Sequence, residues 1–122
     1  MKLYALRIFV RDWAAACAFY GETLGLTERF RDDEFGWVEY AFAEDGTGPC
    51  FGIERVDDGD VEGAALVGRF LGVSLQVADI AATYEALKGK GVVFTAAPEK
   101  QPWGGSLAHF KDPDGNELTL LG

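Results

Sequence analysis

The chain carries the same short pattern twice. Val10-Arg11-Asp12-Trp13-Ala14-Ala15 returns as Val77-Ala78-Asp79-Ile80-Ala81-Ala82. In each copy an alternating apolar segment runs into an aspartate, and an amphipathic stretch and further strand-like segments follow. A duplicated unit restricts the fold to paired architectures, and paired units usually build a ligand site in the cleft between them. With 122 residues, 48% of them apolar, the chain is expected to form one domain with its own core. The repeat divides it into module one (1–57), an acidic linker (58–68) and module two (69–122).

Periodicity fills in the modules. Residues 3–10 alternate as a strand, with Tyr4, Leu6, Ile8 and Val10 on one face. Asp12 is placed to cap a helix in which Trp13, Cys17, Tyr20 and Leu24 share a face, and Gly25 is suited to its left-handed end. Strands are expected at 27–31, 37–43 and 50–56. Module two repeats the plan: a strand over 71–77, then a helix capped by Asp79 that carries Ile80, Tyr84 and Leu87. Lys88 and Lys90 favour its C-terminal end, and Gly91 closes it. Strands at 92–95, 106–111 and 117–121 follow, the last two joined by a sharp Asp112-Pro113-Asp114-Gly115-Asn116 turn. The expected fold is α+β: two tandem βαβββ modules forming a curved mixed sheet around a concave cleft.

Charge narrows the partners. Eleven Lys and Arg against 20 Asp and Glu leave a formal charge of −9, which repels nucleic acid and anionic membrane surfaces. The same charge attracts a cationic ligand, or simply keeps the chain in solution. Cys17 and Cys50 lie far from any CxxC spacing and read as buried, reduced thiols. No apolar run approaches membrane-spanning length and no signal-peptide pattern is present, so a cytoplasmic location is expected.

Four pieces occur in a telling order: Val10-x-Asp12, Phe19-Tyr20 with Leu24-Gly25-Leu26, Val77-x-Asp79, and Phe110-x-Asp112-Pro113-Asp114-Gly115-Asn116. Together they resemble the vicinal-oxygen-chelate superfamily, the group of glyoxalase I, bleomycin-resistance proteins and extradiol dioxygenases. In character the chain is closest to metal-free members of the bleomycin-resistance kind. The likeness covers essentially the whole chain and specifies a fold rather than an activity. It implies that metal ligands, where present, come from both modules, at the positions of Ala5, Glu54, Gly72 and Thr119. One carboxylate does not make a catalytic divalent-ion site, which needs about three protein ligands. The single histidine, His109, lies outside these positions. No metal and no other cofactor is therefore expected, nor a metal-dependent glyoxalase I or dioxygenase activity.

Alternation extends the expected cup from those positions. Arg7 and Phe9 share a face with Ala5, and Ser74 and Gln76 with Gly72; Glu54, Glu117, Thr119 and Leu121 join them. Trp37 and Trp103 lie near loops that would rim the opening. Arg7 would form a buried ion pair with Glu54 or clamp a ligand carboxylate or phosphate. His109 is either a packing or surface residue or, facing inward near Glu54, half of an acid–base couple. Phe9, Phe35, Trp37 and Trp103 offer flat surface for a planar ligand or for the core; Trp103, between Pro102 and Gly104-Gly105, is hard to explain by core packing. No phosphate loop and no Ser-His-Asp or Cys-His set is present. The expected function is metal-free binding of a planar or cationic small molecule by a two-fold homodimer. The alternative is a metal-independent lyase or isomerase acting on a small carbonyl compound, with Glu54 or His109 as base.

Overall fold

The computed structural model describes residues 1–122. The chain separates into two compact units, Met1–Val67 and Gly68–Gly122, and the strand–helix–strands order recurs in both.

In the first unit β1 (Ala5–Val10) leads into α1 (Trp13–Cys17). Asp12 Oδ1 accepts from Ala15 N at 3.1 Å, satisfying one of the helix's unpaired amides. The helix does not stay α-helical to its end: Ala18–Thr23 widens into π-helical turns before Gly25 (φ 72°) reverses the chain. Three strands follow, β2 (Thr27–Asp32), β3 (Trp37–Ala41) and β4 (Cys50–Arg55). The sheet order is β1-β4-β3-β2, with β1 and β4 parallel and the other pairs antiparallel. One face of the sheet meets the helical segment. There Tyr20 packs edge-on against Phe51 (5.7 Å) and stacks on Tyr40 (6.4 Å), above Ile8, Val10 and Ile53. Each such side chain contributes about 1.5–3 kcal/mol by leaving water. Tyr40 keeps its hydroxyl satisfied by donating to Cys17 O at 3.1 Å.

The second unit sets β5 (Phe70–Gln76) parallel to β9 (Glu117–Leu121), with β8 (Ser106–Lys111) and the short β6 (Val93–Phe94) continuing the sheet. A further short strand, β7 (Glu99–Lys100), pairs with β8. Its helix, α3 (Ile80–Gly89), is capped by Asp79 through Ala82 N at 3.0 Å. Leu87, Ala108, Phe110, Leu118 and Leu120 are buried, and Tyr84 meets Phe94 at 4.7 Å. The β8–β9 turn is built around Asp112, whose Oδ1 accepts from Asp114 N and Asn116 N, each at 2.9 Å. Asn116 is fully buried; its amide donates to Asp112 Oδ2 and its oxygen accepts from Gly68 N at 2.8 Å.

Several expectations change. The stretch 58–68 is not a plain linker: Asp60 accepts from Gly63 N at 2.9 Å and starts a one-turn helix, α2 (Val61–Ala64). The first strand begins at Ala5 rather than residue 3, and Tyr4 leaves the packed face because its hydroxyl has a carboxylate partner on the other side of the sheet. β3 stops at Ala41, and β6 covers only two residues of the expected 92–95. Cys17 and Cys50 are free and buried, as their contexts indicate. No helix is long and apolar enough to cross a membrane.

Candidate functional site

On the first sheet, the face away from the helical segment carries the chemistry. Parallel pairing sets Arg7 opposite Gly52 and Phe9 opposite Glu54. Arg7 reaches Glu54 along this face: its Nη2 lies 2.6 Å and its Nε 3.1 Å from the same oxygen, Oε1. The pair is formed as the sequence suggests, but it is not buried, for the Arg7 side chain remains 56% exposed against 23% for Glu54. The Phe9 ring sits 5.2 Å from the guanidinium carbon.

Trp37 is the first residue of β3, directly after the turn. Its ring lies against Gly52, where any Cβ would collide with it, and its Nε1 donates to Glu39 Oε2 at 2.9 Å. Glu39 is the site's unanticipated centre. It is only 6% exposed, and its carboxylate accepts from Tyr4 Oη (2.9 and 3.0 Å), Arg29 Nε (2.9 Å) and Trp37. Burial acts to raise its pKa, but the bonds from Trp37, Arg29 and Tyr4 outweigh it and hold the carboxyl below the usual range. Tyr4 responds in the opposite sense: its proton is held by Glu39, so its pKa is raised. Arg29 also donates to the carbonyls of Gly46 (3.1 Å) and Gly48 (2.6 Å) and to Cys50 Sγ (3.1 Å). Burial pushes the Cys50 thiol up despite that neighbour. The signal for Glu39 was present in Trp37-Val38-Glu39-Tyr40-Ala41, where alternation places Glu39 beside Trp37. On this face Arg7 is paired with Glu54 and Arg29 with Glu39.

The corresponding face of the second sheet is mostly uncharged. Along β5, Gly72, Ser74 and Gln76 are exposed while Leu71, Val73 and Leu75 are partly covered. Register aligns Ser74 with Thr119 and Thr119 with His109. His109 therefore shares the face of Thr119, opposite to Ala108 and Phe110, and its Nδ1 lies 2.8 Å from Thr119 Oγ1. The exposed Phe70 ring approaches the imidazole edge-on at 5.9 Å. Glu117 and Leu121 occupy the ends of the same strand face as Thr119. Trp103 sits at a hairpin tip closed by Gln101 N to Gly105 O (2.7 Å); its ring folds over Gly105 and is 63% exposed. Phe35 lies in the turn before β3, exposed and off the sheet face.

The residues at the four implied metal positions do not fit a catalytic divalent ion. Ala5 and Gly72 offer no donor atom, Thr119 is engaged with His109, and Glu54 is engaged with Arg7. No group of three or more His, Cys, Asp or Glu side chains is placed to hold a metal. Gly72 has φ 69° at a break in the β5–β9 register, a conformation that disfavours any side chain. Elsewhere, a hollow of about 490 Å³ between the helical segment and β2 contains Arg31, but that guanidinium is already committed to Glu28 (2.7 Å) and Asp33 (3.1 Å).

Comparison with known proteins places this geometry. Residues 2–120 match the model of the Glyoxalase/Bleomycin resistance protein/Dioxygenase superfamily. A bleomycin resistance protein of Klebsiella pneumoniae is 31% identical over 91% of this chain and 84% of its own length. A superfamily member from Sphaerobacter thermophilus DSM 20745 superimposes with a TM-score of 0.84 at 29% identity, covering 99% of this chain and 96% of the other. TnmS3, an antibiotic binding protein from Streptomyces sp. CB03234, superimposes at 0.77 with 27% identity, covering 98% and 93%. Duplicated strand–helix–strands units, capped twice by aspartate and closed by the Asp112–Asn116 turn, are thus the local marks of a wider kinship: the chain belongs to the glyoxalase/bleomycin resistance protein/dioxygenase superfamily.

Proposed function

We propose that this protein binds a small planar organic compound against the open faces of its sheets, without a metal, as a two-fold homodimer in the cytoplasm. The observation that carries the reading is a set of accessible flat and polar groups whose internal charges are already paired. In the first unit Phe9 and Trp37 supply flat surface and Arg7 and Glu54 polar anchors; in the second, Trp103 and Phe70 supply flat surface and Ser74, Gln76 and His109 polar anchors. Recognition by shape, stacking and a few hydrogen bonds needs no reacting group. The kinship with a bleomycin resistance protein and an antibiotic binding protein supports the same class of ligand. The overall charge of −9 favours a compound with a cationic part at long range.

The test is calorimetric titration with bleomycin, paired with tryptophan fluorescence. Saturable binding is expected, weakened about tenfold by Trp103→Ala or Phe9→Ala, the loss of about 1.4 kcal/mol of stacking. Absence of binding to bleomycin and to a panel of planar antibiotics would sink the proposal. Turnover of a carbonyl compound that disappears in His109→Ala would replace it with the lyase or isomerase reading.

A further inference from the structure

We propose that Thr119 fixes the tautomer of His109, and that His109 thereby reads a neutral carbonyl oxygen on the ligand through its outward Nε2–H. The ligand part rests on the small-molecule reading above; the tautomer does not.

Thr119 is 3% exposed, and its Oγ1 has one partner, His109 Nδ1 at 2.8 Å. A hydroxyl carries one hydrogen, and a neutral imidazole carries one on either of its nitrogens. Were Nδ1 protonated, Thr119 would accept, and its own buried hydrogen would find no acceptor. With the roles reversed, Thr119 donates to the Nδ1 lone pair and no buried donor is left over. The imidazole proton then sits on Nε2. That nitrogen has no protein partner, and no buried side-chain nitrogen or oxygen lacks one, so Nε2 reaches solvent.

The half-buried imidazole is also held in place. It lies on β8 across from Thr119 on β9, and the exposed Phe70 ring meets it edge-on at 5.9 Å. A fixed N–H donor beside an open aromatic ring suits a flat compound with an acceptor at its edge. Charge chooses among the acceptors. A carboxylate accepts but is repelled by a chain of charge −9, and an ammonium is attracted but offers no lone pair. A neutral carbonyl meets neither objection. Thr119 is accordingly a positioning residue, and His109 is the group that touches the ligand. In the lyase or isomerase alternative, the same tautomer would have His109 polarise the carbonyl rather than take a proton.

His109 is the single histidine of the chain, so a long-range proton–nitrogen NMR spectrum of the untagged protein shows one pair of imidazole nitrogens. At about pH 8.5, two units above the ordinary histidine value, Nε2 is expected to carry the proton. Nδ1 should show the shift of an unprotonated, hydrogen-bonded nitrogen. Thr119→Val should move Nδ1 to the position of a free lone pair, and Thr119→Ser should restore it. A protonated Nδ1 in the wild type, or an Nδ1 shift indifferent to Thr119→Val, overturns the proposal. The wild-type spectrum decides even where the valine variant does not fold. The ligand part is tested with 1-indanone and indane, alike in shape and differing by the carbonyl. Indanone should shift the Nε2 resonance and bind about tenfold more tightly than indane, a preference lost in His109→Phe. An equal response to both probes, or the same preference in His109→Phe, overturns the carbonyl assignment. If bleomycin binds and indanone leaves the imidazole unmoved, the anchor fails while the binding reading survives. If neither binds, the anchor and the reading both fail.

Discussion

Glu39 shows how one residue can settle the character of a face. A carboxylate 6% exposed is costly without partners, and four hydrogen bonds from three side chains make it tolerable. Its folded-state pKa is depressed, so its contribution to stability is present above the unfolded carboxyl value and is lost as pH falls through the folded one. Thermal melts from pH 7 to pH 3 should therefore show a steepening loss of stability on the acid side. Glu39→Gln should flatten that limb and, by depriving Arg29 of its carboxylate while its bonds to Gly46 and Gly48 remain, lower stability at neutral pH by about 1–3 kcal/mol. An unchanged acid limb in the variant would refute the assignment. None of this was visible from composition, because a Glu in a strand reads as solvent-facing until Trp37, Arg29 and Tyr4 are seen to close over it.

At the scale of elements, the legible parts are those with local causes. Asp12 and Asp79 cap their helices through the amides three residues on, Gly25 reverses the first, and Asp112 and Asn116 build the last turn from their own side chains. Alternation also puts Arg7 on the side of Glu54, but it leaves the facing of His109 open; the β8–β9 register is what sets His109 beside Thr119. What escaped depends on contacts distant in sequence. The π-helical widening at Ala18–Thr23, the two-residue β7 and the crossing of Tyr4 to Glu39 have no short-range signature. Gly72 belongs to both groups, since a glycine inside a strand pattern hints at a bulge and the register break shows one. Gly72→His, the substitution that would restore one implied ligand position, should cost about 1–2 kcal/mol for the left-handed backbone alone. Urea unfolding would measure it, and equal stability to the wild type would mean that β5 straightens freely.

For the molecule as a whole, the distribution of charge matters more than its sum. Most of the excess negative charge lies outside the first sheet's open face, where Arg7 and Arg29 are paired with Glu54 and Glu39. Long-range attraction and local selection can therefore favour different features of one ligand. The proposed homodimer should appear in sedimentation equilibrium at twice the mass of the chain; a monomer at micromolar concentration would exclude it. One feature of the first unit bears on how tightly anything is held. Arg29 joins Glu39 to the carbonyls of Gly46 and Gly48, so the glycine-rich loop after β3 is tethered to the floor of the face. Under the proposed function, an arriving molecule would meet a wall already held in place, and the entropy of ordering it would be spent when the chain folds rather than at each encounter.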